Sequence, residues 1–117
     1  MKLIDLIDKA GLRLYSESVS VETEVTGGYT SDLLSDVMGR SKAGQVWITL
    51  QNHLNVIAVA SLRDLAAVVL VNGQEPVPEV LQKAREEGIP LLGTNEDAFT
   101  VSARIYQALN LSERSAY

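Results

Sequence analysis

Apolar residues recur in two rhythms along the 117-residue chain, and the changes of rhythm mark its elements. Leu3, Ile4, Leu6 and Ile7 fall at helical spacing within Lys2–Ala10, and Gly11 is a natural stop, which predicts a short opening helix. Leu12, Leu14 and the stretch Val19–Val25 then alternate apolar with polar, the period of a strand with one wet face, ended by Thr26-Gly27-Gly28. Ser31 and Asp32 suit the start of a helix that runs to about Gly39, because a hydroxyl can take an orphan amide and an acid favours the positive end of the helix dipole. Gln45–Leu50 reads as a strand, and Ala66–Val71 is a continuous apolar run of the kind buried on both faces of a parallel sheet, closed by Asn72-Gly73. Pro78, Glu79 and Gly88 frame a helix through Val80, Leu81 and Ala84. Ile89–Leu92 is a short last strand. Thr94, with Asp97 three residues on, suits the cap of a final helix whose face carries Ala98, Val101, Ile105 and Leu109. Helices thus alternate with strands, which predicts a single-domain α/β sandwich with a mostly parallel sheet of about four to five strands flanked by helices. The domain is expected over 1–111, followed by a tail over 112–117.

The segment His53–Leu62 is the unusual one. On a helical wheel Leu54, Val56, Ile57, Ala58, Val59, Ala60 and Leu62 spread around the whole circumference, interrupted only by Asn55 and Ser61. A helix of this composition is expected to be dry on two sides, one against the sheet and the other against a neighbouring helix or a second subunit, and the small Ala58, Ala60 and Ser61 favour the second subunit. Leu54, Ile57, Ala58 and Ser61 are the expected contacts of a homodimer. The alternative is a strand over Asn55–Ala60, which Val56, Ile57 and Val59 would tolerate well.

Composition narrows the partners. The chain is 46% apolar and 21% charged, enough to build one core at this length. Ten Lys and Arg against fifteen Asp and Glu give a net charge of −5, and the basic residues are scattered, so a nucleic-acid partner is not expected. No apolar run approaches ~20 residues, so no membrane span is expected. The acids within Met1–Asp8 and the absence of a cleavage site argue against a signal peptide, and the expected location is cytoplasmic. With no cysteine and a single histidine, neither a thiolate zinc site nor a cysteine nucleophile is available.

The remaining chemistry is sparse. Gly39 and Gly44 stand at the spacing of a phosphate loop, but Gln45 and Val46 follow where lysine and a hydroxyl are required. His53 has no obvious acid to orient it and no nucleophile elbow to serve, so no catalytic residue, metal site or cofactor is assigned. In a parallel sheet the carboxyl ends of the strands meet at one edge, where such folds place ligands. Gly27, Gly28, Thr30, Ser31, Gln51, Asn52, His53, Asn72, Gly73 and Thr94 would gather there. The Gly27-Gly28 turn could hold an anion through backbone amides, and Asn52, His53 and Asn72 could hydrogen-bond a base or carboxamide. The same residues also suit purely structural roles as turn glycines and helix caps.

The run Val46-Trp47-Ile48-Thr49-Leu50-Gln51-Asn52-His53-Leu54-Asn55-Val56-Ile57-Ala58-Val59-Ala60, the Val68–Gly73 strand and turn, and Gly88-Ile89-Pro90-Leu91-Leu92-Gly93-Thr94 together resemble the DRTGG-domain family over roughly Val21–Leu109. That family is similar in fold to the amino-terminal, non-catalytic domain of HPr kinase/phosphorylase. It occurs fused in regulatory CBS-type pyrophosphatases and some phosphate acetyltransferases. Standalone copies of the family resemble this chain in length, and some are encoded near iron-only hydrogenase and NADH-oxidising subunits. The resemblance implies a non-enzymatic regulatory or assembly module, without kinase activity, acting through an effector or a protein partner in anaerobic redox metabolism. The alternative is a sensor binding an adenine nucleotide or another anionic metabolite at the sheet edge. Two departures limit what carries over: Gln51-Asn52-His53 stands where the family commonly has a Gly-Asp-Arg turn, and Asn72-Gly73-Gln74 where it has Thr-Gly-Gly.

Overall fold

A computed structural model describes residues 1–110. The expected tail over 112–117 lies outside them. The elements are α1 (Leu3–Ala10), β1 (Arg13–Leu14), β2 (Gly27–Thr30), α2 (Leu34–Arg40), β3 (Gln45–Thr49), α3 (Leu54–Leu62), β4 (Ala67–Leu70), α4 (Pro78–Glu87), β5 (Leu91–Gly93) and α5 (Ala98–Ala108). The strands form one five-stranded sheet in the order β1-β5-β4-β3-β2, parallel throughout except for the antiparallel β1–β5 pair. The segment that could have been a strand at 55–60 is helical.

The apolar runs of β3 and β4 are two interleaved sets, because successive strand residues face opposite sides of the sheet. Val46, Ile48, Ala67, Val69 and Leu92 join α1 and α5 residues such as Leu3, Leu6, Val101 and Ile105 in one core. Trp47, Val68, Leu70 and Leu91 join Val37 of α2, Val56, Ile57 and Ala60 of α3, and Val80 and Ala84 of α4 in the other. This distribution follows from topology. Strands β2 to β5 are added in chain order in one direction, and crossovers share one hand, so all three connecting helices lie on the same face. Trp47, fully buried, satisfies its indole N–H by donating to Ser31 O at 2.8 Å.

Several local expectations change. Val19–Val25 is extended but is not a sheet strand: Val21 O and Thr23 O accept the first amides of α1, from Ile4 and Leu3, and only Lys2 and Glu24 form a bridge. The alternation is real, and its hydrogen bonds serve a helix amino terminus instead of a ladder. Gly27 and Gly28 open β2 instead of ending a strand. Ser31 does not cap α2; its Oγ accepts from Leu33 N at 3.2 Å, one position before the helix. Thr94 likewise serves its own turn, accepting from Glu96 N, while Asp97 caps α5 by accepting from Thr100 N at 2.8 Å.

Candidate functional site

Because the sheet adds strands in chain order, its parallel part has no reversal of strand order and therefore no crevice of the doubly wound kind at its carboxyl edge. The loops there are tied to one another instead. Asp32 Oδ1 accepts from Thr49 Oγ1 at 2.8 Å and from Leu50 N at 2.7 Å. Gln51 Nε2 donates to Asp32 O at 2.8 Å, and Gln51 Oε1 lies 3.0 Å from His53 Nε2. Asn52 Nδ2 donates to Glu75 O at 2.8 Å, which joins the loop after β3 to the loop after β4. Gly73 N donates to Thr94 O and Asn72 N to Glu96 O, both at 2.9 Å, which joins the loop after β4 to the loop after β5.

An opening near this edge lies between the first turns of α3 and α4. It is a cavity of about 510 Å³ lined by Asn52, His53, Leu54, Asn55, Val77, Glu79 and Val80. Neither helix has a side-chain cap: His53 and Val77 stand at the cap positions without a capping bond. Leu54 and Val77, 47% and 39% exposed, are the apolar rims, one beside each helix, over buried Val80. Glu79 places a carboxylate in the first turn of α4. A volume of this size falls in the range of small-ligand sites, roughly 300–1,000 Å³.

The expected edge residues are therefore dispersed. Asn52 and His53 line the cavity, and Gln51 stands behind, holding the ring. Asn72 and Gly73 adopt left-handed backbone conformations, φ 58° and 71°, and make the turn after β4. Thr94 is buried in the neighbouring turn. Ser31 lies in the loop before α2. Gly27 and Gly28 pair with Gln45 and Val46 at the start of β3, the opposite end from Asn52 and His53, so they form no anion-holding turn with these residues. Gly28 and Thr30 line a separate cavity of about 160 Å³ beneath α5, where Thr30 Oγ1 lies 2.8 Å from Ser102 Oγ. Asn55, Val77 and Glu79 were not anticipated. The helix starts at Asn55 and Pro78-Glu79 were the available signal, since the first turns after the β3 and β4 loops form the walls.

The expected dimer face also needs one correction. Ile57 is fully buried in this chain's own core and offers no surface. Leu54, Ala58 and Leu62 are exposed along one flank of α3, with Ser61 half-buried beside them and Leu62 exposed to 71%. Helices α2 and α4 pack on either side of α3 and leave this flank open. Among the described residues no helix is long and apolar enough to cross a membrane, and no cluster of three or more His, Cys, Asp or Glu could hold a metal ion.

The molecule is thus a three-layer α/β domain whose ligand-sized cavity lies between the first turns of two helices on one face. The sequence model of the DRTGG domain matches residues 16–108, and the chain belongs to that family. No curated protein matches it. A similar solved structure is that of the CBS and DRTGG domains of the regulatory region of Clostridium perfringens pyrophosphatase, complexed with the activator diadenosine tetraphosphate. The two share a TM-score of 0.69 and 17% identity, covering 92% of this chain and 47% of that one. The chain therefore spans about half the length of that structure, and the likeness is one of fold.

Proposed function

We propose that this chain is a non-catalytic regulatory module that binds an adenine-nucleotide effector in the cavity between α3 and α4 and self-associates through the outer flank of α3. The observation that carries the reading is the double position of Leu54, which is both a wall of the cavity and the first residue of the exposed apolar stripe. An effector seated against Leu54 alters the surface that a second copy meets, which couples binding to assembly. The related pyrophosphatase region, complexed with a dinucleotide activator, supports a nucleotide as the effector class. The environment of His53 supports a binding role over catalysis, since its ring is held by the Gln51 amide and not by a carboxylate. The module's output is a protein partner, of the redox-metabolism kind that its family resemblance implies. Isothermal titration with adenine nucleotides, alongside light scattering on the same samples, tests the reading: binding that shifts the monomer–dimer balance is expected, and no binding at millimolar nucleotide overturns it.

A further inference from the structure

We infer that the module's protein partner docks on the open edge of β2, as an extended peptide segment that adds a further strand and drops one apolar side chain beneath α5. This docking site rests on the partner reading above and is independent of the effector cavity. β2 is the last strand of the sheet, with β3 on one side only. Ser31 N donates to Ile48 O, whereas Ala66 N and Val71 N donate to Gln45 O and Thr49 O, so the even residues of β3 serve β2 and the odd ones serve β4. Alternation along a parallel ladder then turns the N–H and C=O of Tyr29 and Ser31 inward and those of Gly28 and Thr30 outward. Among the described residues no backbone bond from outside the ladder reaches Gly28 or Thr30. The opposite edge of the sheet is blunted, since β1 is two residues long and carries Arg13. β2 has no such protection: residues 26–31 hold neither charge nor proline.

Gly28 has no local reason to be glycine. Its φ is ordinary, and an added Cβ would meet Val46 Cγ2 and Ile48 Cδ1 at 3.7 Å, an unstrained contact. What its missing side chain leaves is the cavity of about 160 Å³ between β2 and α5, walled by Ile48, Ile105 and Leu109. Glycine inside a strand marks a place where another group comes close. The volume lies below the roughly 300–1,000 Å³ of small-ligand sites and suits one leucine-sized side chain. Gly28 and Thr30 are exposed, so the cavity opens at the free edge of the strand. Beside that mouth stands Phe99, 86% exposed, one turn before Ser102, whose Oγ lies 2.8 Å from Thr30 Oγ1.

Area decides between occupants. Phe99 and Tyr106, 86% and 41% exposed, offer roughly 200–300 Å² of ring surface at about 150–250 Å² for a whole aromatic side chain. With a four-residue edge this stays well short of the ~800 Å² per partner of a standard interface, so a second copy is poorly held here. A peptide strand gains main-chain bonds and one anchored side chain from the same surface. Charge adds to its description. Thr30 meets Ser102 while the cavity at Gly28 reaches Ile105 and Leu109, so α5 runs back along β2 and its exposed cap Asp97 lies past the Thr30 end, as does Asp32. A lysine or arginine on the segment complements that end.

Nitrogen-15 NMR titration of the full chain with the peptide acetyl-Lys-Thr-Val-Thr-Leu-Thr-Val-Lys-amide tests this. A dissociation constant below about 1 mM is expected, with the Gly28 and Thr30 amide signals shifted and their hydrogen exchange slowed at least about tenfold. Glycine in place of the peptide's leucine leaves the cavity empty, and Gly28→Leu fills it from within; each is expected to weaken binding at least about tenfold. Circular-dichroism melts show whether Gly28→Leu folds, and the peptide change tests the same cavity on the native protein. Phe99→Ala is expected to weaken binding about threefold with an unchanged melt. Peptides N-methylated on the threonines and on the valines and leucine are expected to differ at least about tenfold, because only one alternate set of amides faces β2. Equal binding by the two methylated peptides, full binding without the leucine, or no shift at Gly28 and Thr30 at about 2 mM peptide overturns the docking site. Each of these results leaves nucleotide binding and assembly through α3 to their own titrations. Slow exchange of Gly28 and Thr30 in the peptide-free protein also overturns it. Slowing that grows with protein concentration gives the edge to a second copy, and slowing that does not gives it to the chain's own residues 111–117.

Discussion

Asp32 Oδ1 and Thr49 Oγ1 stand 2.8 Å apart, and the same carboxylate oxygen takes Leu50 N at 2.7 Å. Through these bonds the loop before α2 fixes the end of β3, from which Gln51, Asn52 and His53 emerge toward the cavity. Asp32→Ala is expected to cost about 1–2 kcal/mol in urea melts, as bonds to a charged acceptor in a solvated loop do, and Asp32→Asn, which keeps an oxygen there, less than half of that. The Ala variant should also weaken effector binding while the Asn variant retains it. Equal stability of all three proteins would show that the bonds do not hold the loop.

Two glycines of similar appearance in the sequence should respond in opposite ways. Gly44 has φ +84°, and a Cβ there would lie 2.7 Å from Thr26 Oγ1 and 3.0 Å from Thr26 Cγ2. Gly44→Ala is therefore expected to destabilise by about 2–4 kcal/mol, from strained torsion and a steric clash together. Adding Thr26→Ala should recover the steric part only. Gly28 has an ordinary φ, and its Cβ would meet Val46 and Ile48 side chains at 3.7 Å. Gly28→Ala should change stability by no more than about 0.5 kcal/mol and leave binding at the α3–α4 cavity unchanged. Chemical denaturation of the four proteins checks both statements.

Tyr29 supplies a pH dependence. Its hydroxyl donates to Asp36 Oδ2 at 2.8 Å, and its pKa lies above the usual value of 10.0, first because the neutral phenol makes that bond, then through desolvation and the negative charge of Asp36. A phenol whose folded pKa is raised contributes stability that is complete below its unfolded pKa and is lost as pH rises through the folded one. The stability advantage of the native protein over Tyr29→Phe should therefore be constant near about pH 8 and shrink progressively above about pH 10. Urea midpoints measured across that window read the difference directly. A gap that widens with pH would reverse the assigned sign.

How much of this was legible in the sequence depends on whether a pattern names its partner. Ala66–Val71 announced a strand covered on both faces, and the structure covers it on both. The all-round apolar character of 54–62 announced a helix with more than one buried side, yet periodicity could not say which flank its own neighbours α2 and α4 would leave open. Ile57, chosen for an interface, turns inward for that reason. The alternation of 19–25 was equally clear, but its hydrogen bonds go to Leu3 and Ile4 at the start of α1, a long-range pairing that no local pattern encodes. The site was half visible. Asn52 and His53 follow a strand end and were foreseen, whereas Val77 and Glu79 reach the same cavity only because β3 and β4 are neighbours in the sheet.

The open flank of α3 allows a direct test of assembly. Leu54 and Leu62 are 47% and 71% exposed at its two ends, Ala58 lies between them, and Ser61 donates to Glu87 Oε1 at 3.2 Å along one margin. Burying such a stripe against its own copy removes apolar area from water on both chains, while the small Ala58 lets two helices approach closely. Ala58→Glu and Leu62→Glu should each raise the dimer dissociation constant at least about tenfold, because each would bury an unpaired charge, while leaving the melting temperature of the monomer nearly unchanged. Ile57→Ala should do the reverse, costing about 2–4 kcal/mol of fold stability without entering the interface. Light scattering after size exclusion distinguishes the cases. A native protein that elutes as a clean monomer at about 50 micromolar would remove the dimer, and with it the coupling assigned to Leu54, while the cavity and its ligand chemistry would remain to be judged by titration alone.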